Sequence, residues 1–171
     1  INPKKLKPYK PNKDKNFLNL KKEIKKIKDL LIKSQKPIII LGGGIKYGKA
    51  EQELKHFLDK FNIPIVTTWS GVDLIEHNNS NYIGNIGVYG SRAANFTVQN
   101  SDLILCLGTR LDTRVTGGNP KSFAREAIKI VIDIDKEELG KKRGVKINLK
   151  IKTDIKNFLK NFNDYHKIKI I

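Results

Sequence analysis

The sequence has no methionine, one cysteine and one tryptophan among its 171 residues. A single cysteine excludes an internal disulfide framework and a cysteine-ligated metal cluster, and the apolar run around Cys106 predicts a buried, inert thiol. No apolar run approaches the roughly 18 residues of a membrane span, and the lysine-rich N-terminus lacks an apolar signal-peptide core. We therefore expect a cytoplasmic protein without membrane contact. The missing methionine, with Ile1 first, indicates a piece of a longer chain.

Lysine is absent from residues 61–120, although the formal net charge of the chain is +17. That stretch holds three arginines and four acidic residues, whereas residues 1–40 hold 13 lysines against three acids and residues 121–171 hold 14 basic residues against seven acids. The sequence is also rich in Ile and Asn, and an AT-rich genome encodes many Lys, Ile and Asn residues without selection for binding. We therefore interpret the lysines as solvent-exposed side chains and expect no nucleic-acid partner. A nucleic-acid-binding protein is kept as an alternative that would show a steep salt dependence.

Helical and strand patterns alternate along the chain. Apolar residues spaced three and four apart predict helices through Leu20–Leu31 with Asn16 as a candidate cap, through Leu54–Phe61, through Ser91–Gln99 with Ala93, Phe96 and Val98 facing the sheet, and through Ile155–Phe162 with Asp154 as the cap. Buried runs predict strands at Ile38–Leu41, Pro64–Thr68, Leu103–Leu107, Ile128–Ile134 and Val145–Ile151, with a short strand or turn near Tyr82–Gly84.

This alternation predicts one doubly wound, Rossmann-like α/β domain with a parallel sheet of about six strands and helices on both faces. Three prolines and few apolar residues predict an extended linker over residues 1–16. The domain is expected over residues 17–163, followed by a tail over residues 164–171. Ligands of such folds bind beyond the carboxyl ends of the strands.

Several candidate binding residues follow the predicted strands. Gly42–Gly44 either let a ligand or a neighbouring element approach the backbone closely or only form a tight strand-to-helix turn, and they match no phosphate-loop motif. Thr67–Ser70 provide hydroxyl groups and the indole of Trp69. We expect the indole either to flank a nucleotide or to pack in a core or an interface. The carboxylate of Asp133 lies where such folds bind ribose hydroxyls, or it caps the strand end.

The segment Leu107–Gly117 carries the most information, because it places Arg110, Asp112 and Arg114 directly after a buried strand. We expect one of two roles for the guanidinium groups: they form bidentate hydrogen bonds to a pyrophosphate, or they form ion pairs with Asp112. His56, His77 and His166 are far apart in the sequence and have no ligand-like neighbours. We assign no catalytic residue and no metal ligand, so the sequence indicates a ligand-binding domain without catalytic activity.

Three segments together resemble the central domain of thiamine-diphosphate-dependent enzymes of the acetolactate synthase type. Gly87–Gly90 is similar to the family's Gly-Met-His-Gly turn, and Ala93–Leu103 is similar to its Ala-Asn-x-x-Val-Gln-Asn-Ala-Asp-Leu segment. Gly108–Gly117 is similar to its Gly-Ala-Arg-Phe-Asp-Asp-Arg-Val-Thr-Gly loop. The similarity extends more loosely from Pro37 to about Phe162, and it implies an enzyme with two further catalytic domains.

The resemblance implies that the parent enzyme uses thiamine diphosphate and Mg, both held by the other domains, to decarboxylate a pyruvate-like 2-keto acid. It then transfers the two-carbon unit to a carbonyl acceptor. The resemblance also implies a homodimer or homotetramer with the flanking catalytic domains as partners, and an isolated central domain that is inactive.

In acetolactate synthases this domain binds FAD, which is structural rather than redox-active in that reaction, whereas relatives bind ADP or nothing. Tyr89 stands where the synthases have His, and Thr113 replaces the second Asp of their loop. Carried over by position, the candidate cofactor-binding residues are Gly42, Gly43, Gly44, Thr68, Trp69, Gly87, Val88, Tyr89, Gly90, Gly108, Arg110, Asp112, Arg114, Val115, Asp133, Ile134 and Asp154. The alternatives are a stand-alone nucleotide-binding module and a sugar-pathway thiamine-diphosphate enzyme without FAD.

Overall fold

The computed structural model describes residues 6–8 and 20–165. The predicted cap Asn16 and most of the predicted linker lie outside these residues, as do residues 166–171 of the predicted tail. The helices are α1 (Lys21–Lys33), α2 (Gly44–Tyr47), α3 (Glu51–Leu58), α4 (Arg92–Gln99), α5 (Thr113–Thr116), α6 (Lys136–Gly140) and α7 (Ile155–Asp164). The strands are β1 (Pro37–Leu41), β2 (Ile65–Thr67), β3 (Tyr82–Asn85), β4 (Leu103–Leu107), β5 (Ile128–Asp133) and β6 (Leu149–Lys152).

The six strands form one parallel sheet in the order β3-β2-β1-β4-β5-β6. This is the doubly wound order, in which the chain reverses its direction across the sheet between β1 and β4. The predicted fold class is therefore confirmed. The reversal leaves a crevice beyond the carboxyl ends of β1 and β4, where the connections diverge.

Two apolar layers cover the sheet because successive residues of each buried strand point to opposite faces. One layer packs α1, α3 and α7 on residues such as Ile39 and Leu105, and the other packs α4 and α6 on residues such as Ile40 and Cys106. The rings of Phe57 and Phe162, 5.1 Å apart, join α3 to α7 in the first layer. Strands buried on both faces explain why the apolar runs show no alternation.

The side of α4 that packs on the sheet differs from the prediction. The side chain of Ser91 caps α4 by accepting from Ala94 N at 3.1 Å, and the helix then buries Ala94 and Val98, which are four residues apart. Ala93 and Phe96, predicted to reach the sheet, are exposed instead.

The last strand also starts later than predicted, at Leu149, because Val145 and Ile147 pack as loop residues against the layer that contains α4 and α6. The final helix extends to Asp164, one residue beyond the predicted domain end.

Cys106 lies at the centre of the sheet and is fully buried, as predicted. Burial raises the pKa of its thiol to about 12, against a smaller opposing effect of Lys129. The neutral thiol is the unreactive form. Within residues 6–8 and 20–165, no helix is long and apolar enough to cross a membrane.

Candidate functional site

A cavity of about 790 Å³ opens at the carboxyl edge of the sheet, where the chain reverses between β1 and β4. Its volume falls within the roughly 300–1,000 Å³ typical of small-molecule sites. Eleven of the seventeen predicted cofactor-binding residues line it, namely Gly43, Gly44, Thr68, Trp69, Tyr89, Gly108, Arg110, Asp112, Arg114, Val115 and Asp133. Residues from five separate segments thus meet at one place.

The glycines after β1 are required by the approach of a neighbouring segment. A Cβ atom on Gly42 would lie 2.4 Å from Gly108 O, and one on Gly44 would lie 2.7 Å from the same oxygen. Gly108 itself has a φ of +60°, a conformation that glycine adopts without strain. Of the uses expected for this turn, the structure shows close packing against the segment after β4.

The backbone N–H groups of this glycine turn already have acceptors. Gly42 N donates to Leu107 O at 2.9 Å, Gly43 N donates to Ser70 Oγ at 3.2 Å, and Gly44 N donates to Gly108 O at 2.9 Å. A phosphate-binding loop needs N–H groups that point freely at the ligand. The three N–H groups of this turn are therefore not free to bind an anion.

The arginine segment after β4 is organised by Asp112. Its side chain caps α5 by accepting from Arg114 N at 3.0 Å and Val115 N at 3.4 Å. Among the described residues, Asp112 forms no ion pair with either arginine of the segment. The guanidinium of Arg110 instead lies 3.7 Å from Glu138 and is 60% exposed at the rim of the cavity. The predicted alternative in which Asp112 pins the arginines is therefore wrong.

The turn Gly87–Gly90 packs against the backbone of the arginine segment. Val88 N donates to Arg114 O at 2.9 Å, and a Cβ atom on Gly87 would lie only 2.2 Å from that oxygen. The side chain of Asn95 holds the turn in place, because Asn95 Oδ1 accepts from Gly87 N at 2.9 Å and Asn95 Nδ2 donates to Gly87 O at 3.0 Å. The turn therefore contacts both of the other segments that resemble family motifs.

Two aromatic side chains form one wall of the cavity. The ring centroids of Trp69 and Tyr89 are 5.4 Å apart in an edge-to-face arrangement, and the two residues are 67% and 78% exposed. Trp69 is therefore not a core residue of this domain. Exposed rings at a cavity mouth provide a surface on which a planar ligand group can stack.

Carboxylates of β5 and α6 form the opposite wall. Burial raises the pKa of Asp133, partly offset by the hydrogen bond from Asp135 N, which donates to Asp133 Oδ1 at 2.9 Å. Hydrogen bonds from Lys141 and from Arg143, the latter at 2.6 Å, hold the pKa of Glu138 at about 2. Asp133 thus caps the strand end and also lines the cavity, so both predicted roles fit its position.

The family model described as thiamine pyrophosphate enzyme, central domain, matches residues 24–162. The chain belongs to this family. The resemblance seen in the loop motifs is thereby confirmed, and the matched range spans the whole sheet of this central domain.

Relatives of this central domain include acetolactate synthase large subunits. The chain is 38% identical over 121 residues to the large subunit of acetolactate synthase isozyme 2 from Escherichia coli, covering 71% of this chain and 22% of the relative. It is 41% identical over 108 residues to the acetolactate synthase large subunit of Lactococcus lactis, covering 63% and 19%. The chain therefore spans about a fifth of the length of these relatives.

Six predicted cofactor-binding residues of the central domain do not line the cavity, namely Gly42, Gly87, Val88, Gly90, Ile134 and Asp154. The first four support the residues that do line it, through the backbone contacts of the two glycine turns. Ile134 is 65% exposed, and Asp154 caps α7 by accepting from Asn157 N at 3.0 Å.

Seven lining residues are not among the predicted cofactor-binding residues, namely Tyr47, Ser70, Asn85, Ile86, Thr109, Asp135 and Glu138. Asn85 ends β3, so the rule that ligands meet the carboxyl ends of strands would have found it had that strand been assigned firmly. Glu138 is 28 positions beyond Arg110 and gives no local signal. None of the residues 6–8 and 20–165 forms a group of three or more His, Cys, Asp or Glu side chains that could hold a metal ion.

Proposed function

We propose that this chain is the central domain of an acetolactate-synthase-like enzyme that decarboxylates a pyruvate-like 2-keto acid and transfers the two-carbon unit to a carbonyl acceptor. The observation that carries the proposal is that the segments resembling the family motifs, Gly87–Gly90, Ala93–Leu103 and Gly108–Gly117, fold together beside one cavity. The similarity to acetolactate synthase large subunits supports the reaction. Thiamine diphosphate, held with Mg by the flanking domains, would supply the electron sink for decarboxylation.

Within this domain we propose a site for FAD or ADP. Arg110 and Arg114 would hold the phosphates, since the N–H groups of the glycine turn are engaged and these two arginines are the cations that line the cavity. The half-buried carboxyl of Asp133 would accept from a ribose hydroxyl. A planar ring would lie against Trp69 and Tyr89.

The carboxylates that line the cavity are compatible with a bound phosphate. Asp112 and Asp135 accept from backbone N–H groups at the starts of α5 and α6, and Glu138 is held by Lys141 and Arg143. These partners offset the negative charge that would repel a phosphate. A carboxylate bonded to N–H groups and cations contributes less field to the cavity than a free one.

The bound nucleotide would stabilise the domain rather than take part in the chemistry. We further propose that the parent protein is a cytoplasmic homodimer or homotetramer in which this domain packs against its catalytic neighbours. The family membership supports an assembly with other domains, and the single reduced cysteine fits a reducing compartment.

Thermal unfolding of the 171-residue chain with FAD or ADP tests the site. A ligand at 100 times its Kd stabilises by about 2.7 kcal/mol, which raises the Tm of a domain this size by roughly 5–10 °C. The variant Arg110→Ala with Arg114→Ala should lose the shift. The matched control, Arg92→Ala with Arg125→Ala, removes two exposed arginines that do not line the cavity and should keep it. No shift with either nucleotide would refute the nucleotide site.

The reaction is tested on the complete parent protein. With thiamine diphosphate, Mg and pyruvate it should release CO₂ and form a condensed acyloin product. CO₂ release without a condensed product would refute the transferase assignment. Retained condensation by a protein that binds no nucleotide would instead favour the sugar-pathway type of relative without FAD.

A further inference from the structure

An irregularity in β3 brings together three polar side chains. The register pairs Ile65 with Tyr82 but Thr67 with Asn85, so one extra residue is inserted in β3. Side chains three apart on a regular strand would face opposite sides of the sheet. The inserted residue, with Gly84 at a φ of +129°, places Tyr82 and Asn85 on the same side. Bulges of this kind re-aim side chains near binding sites.

The oxygen of the Asn85 amide is fully used inside this cluster. Thr67 Oγ1 donates to Asn85 Oδ1 at 2.5 Å, and the hydroxyl of Tyr82 donates to the same oxygen at 2.9 Å. Thr67 is completely buried, so water does not compete for this contact. The two hydroxyls form a clamp that fixes the orientation of the Asn85 amide.

The amide nitrogen of Asn85 remains available to a ligand in the cavity. Asn85 lines the cavity, and within the described part of the chain Asn85 Nδ2 donates to no protein acceptor. The aromatic wall is adjacent in the fold, since Trp69 is two residues beyond Thr67 and Ser91 N, two residues beyond Tyr89, donates to Asn85 O at 2.8 Å. A ring stacked on that wall would present its edge near the amide.

We infer that Asn85 is a specificity-determining residue that donates from Nδ2 to a hydrogen-bond acceptor on the edge of a planar heteroaromatic ring. This inference rests on the proposed nucleotide site. It selects rings with an acceptor nitrogen or carbonyl oxygen and disfavours rings that present a donor at that point. Adenine and flavin both carry such acceptors, so the chemistry is common to both proposed ligands.

The substitution Asn85→Asp tests the donor directly, because it keeps the oxygen held by the clamp and replaces the free NH₂ with an acceptor. The Kd for FAD should rise about tenfold or more, and that for Asn85→Leu, which removes the donor without adding charge, about fivefold. Asn81→Asp adds the same charge just before β3, outside the cavity, and should leave the Kd unchanged. ADP and FMN titrations then show whether adenine or flavin carries the acceptor.

The clamp is tested through its dependence on Asn85. Thr67→Val with Tyr82→Phe removes both hydroxyls and should weaken FAD binding severalfold in the wild-type background. In the Asn85→Leu background the same pair should leave the Kd unchanged, although it still lowers the Tm. An equal loss of affinity in both backgrounds would mean that the hydroxyls only stabilise the fold, and would overturn the positioning role.

A wild-type measurement covers the case in which a variant does not fold. In protein labelled with ¹⁵N-asparagine, the NH₂ signals of Asn85 should shift when FAD or ADP is added. Unchanged signals, or an unchanged Kd in Asn85→Asp while the wild type binds, would overturn this inference and leave the proposed function in place. Failure of the wild type to bind either nucleotide would overturn the proposed site, and this inference with it.

Discussion

The support of Arg114 by Gly87 gives a quantitative prediction for Gly87→Ala. Gly87 has a φ of +101°, and a Cβ atom would meet Arg114 O at 2.2 Å. Gly117, at the other end of α5, has a φ of +79° but nothing within 4 Å of a Cβ atom. The two glycines therefore share the backbone strain of an alanine and differ in the steric contact, which makes Gly117→Ala the matched control.

The size of the effect follows from these two terms. An alanine at such a φ costs about 1–3 kcal/mol, and the forced displacement of a packed neighbour costs about 1–3 kcal/mol more. We expect Gly117→Ala to lower the free energy of unfolding by about 2 kcal/mol and Gly87→Ala by about 4 kcal/mol. For a domain of this length these losses correspond to Tm decreases of roughly 4–8 °C and 8–16 °C.

Circular dichroism melts of the two variants measure the difference, and thermal shifts with ADP measure its effect on the site. Gly87→Ala should also weaken the ADP shift more than its loss of stability explains, because the carbonyl that moves belongs to Arg114. Equal Tm decreases for the two variants would refute the argument that Gly87 is required for close contact rather than for its φ alone.

Three further predictions concern ionisable groups. Because hydrogen bonds from Lys141 and Arg143 lower the pKa of Glu138 from 4.5 to about 2, its contribution to stability is complete above pH 4.5 and is lost as the pH falls towards 2. Acid titration of unfolding should therefore be less steep in Glu138→Gln than in the wild type. Iodoacetamide at about pH 8 should label Cys106 only after denaturation, and labelling of the native protein would contradict the burial of its thiol. Burial raises the pKa of Asp133, so its charged form destabilises the native state at neutral pH. Asp133→Asn should raise the Tm and weaken ADP binding. A lower Tm would contradict the argument that the charged carboxylate destabilises the native state.

The parallel sheet was predictable because its inner strands are buried on both faces and therefore appear as uninterrupted apolar runs. The rotation of α4 was not predictable from its apolar residues alone. Ala94 and Phe96 are both compatible with an apolar face, and the structure buries Ala94 with Val98 while Phe96 stays exposed. Periodicity over eight residues does not fix that phase.

The site was predictable wherever a residue directly follows a strand. Arg110, Trp69 and Asp133 were found on this ground, because parallel strands end at the same edge of the sheet. Glu138 was not found, since it reaches Arg110 from α6, and the orientation of Asn85 depends on an inserted residue in β3. Contacts between separate segments and shifts of register leave no pattern in a single sequence.

The motifs that identify the family are held in place by packing and hydrogen bonds that need no ligand. Gly42, Gly44 and Gly108 are required by contacts between two turns, Gly87 by its contact with the carbonyl of Arg114, and Asp112 by the cap of α5. The residues left free to meet a ligand are side chains outside these contacts. A relative could therefore keep every glycine of the motifs after losing its nucleotide, because each loss of a glycine would cost stability. It follows that the glycine motifs identify the domain, and that Arg110, the aromatic wall and Asn85 must be measured to identify the ligand.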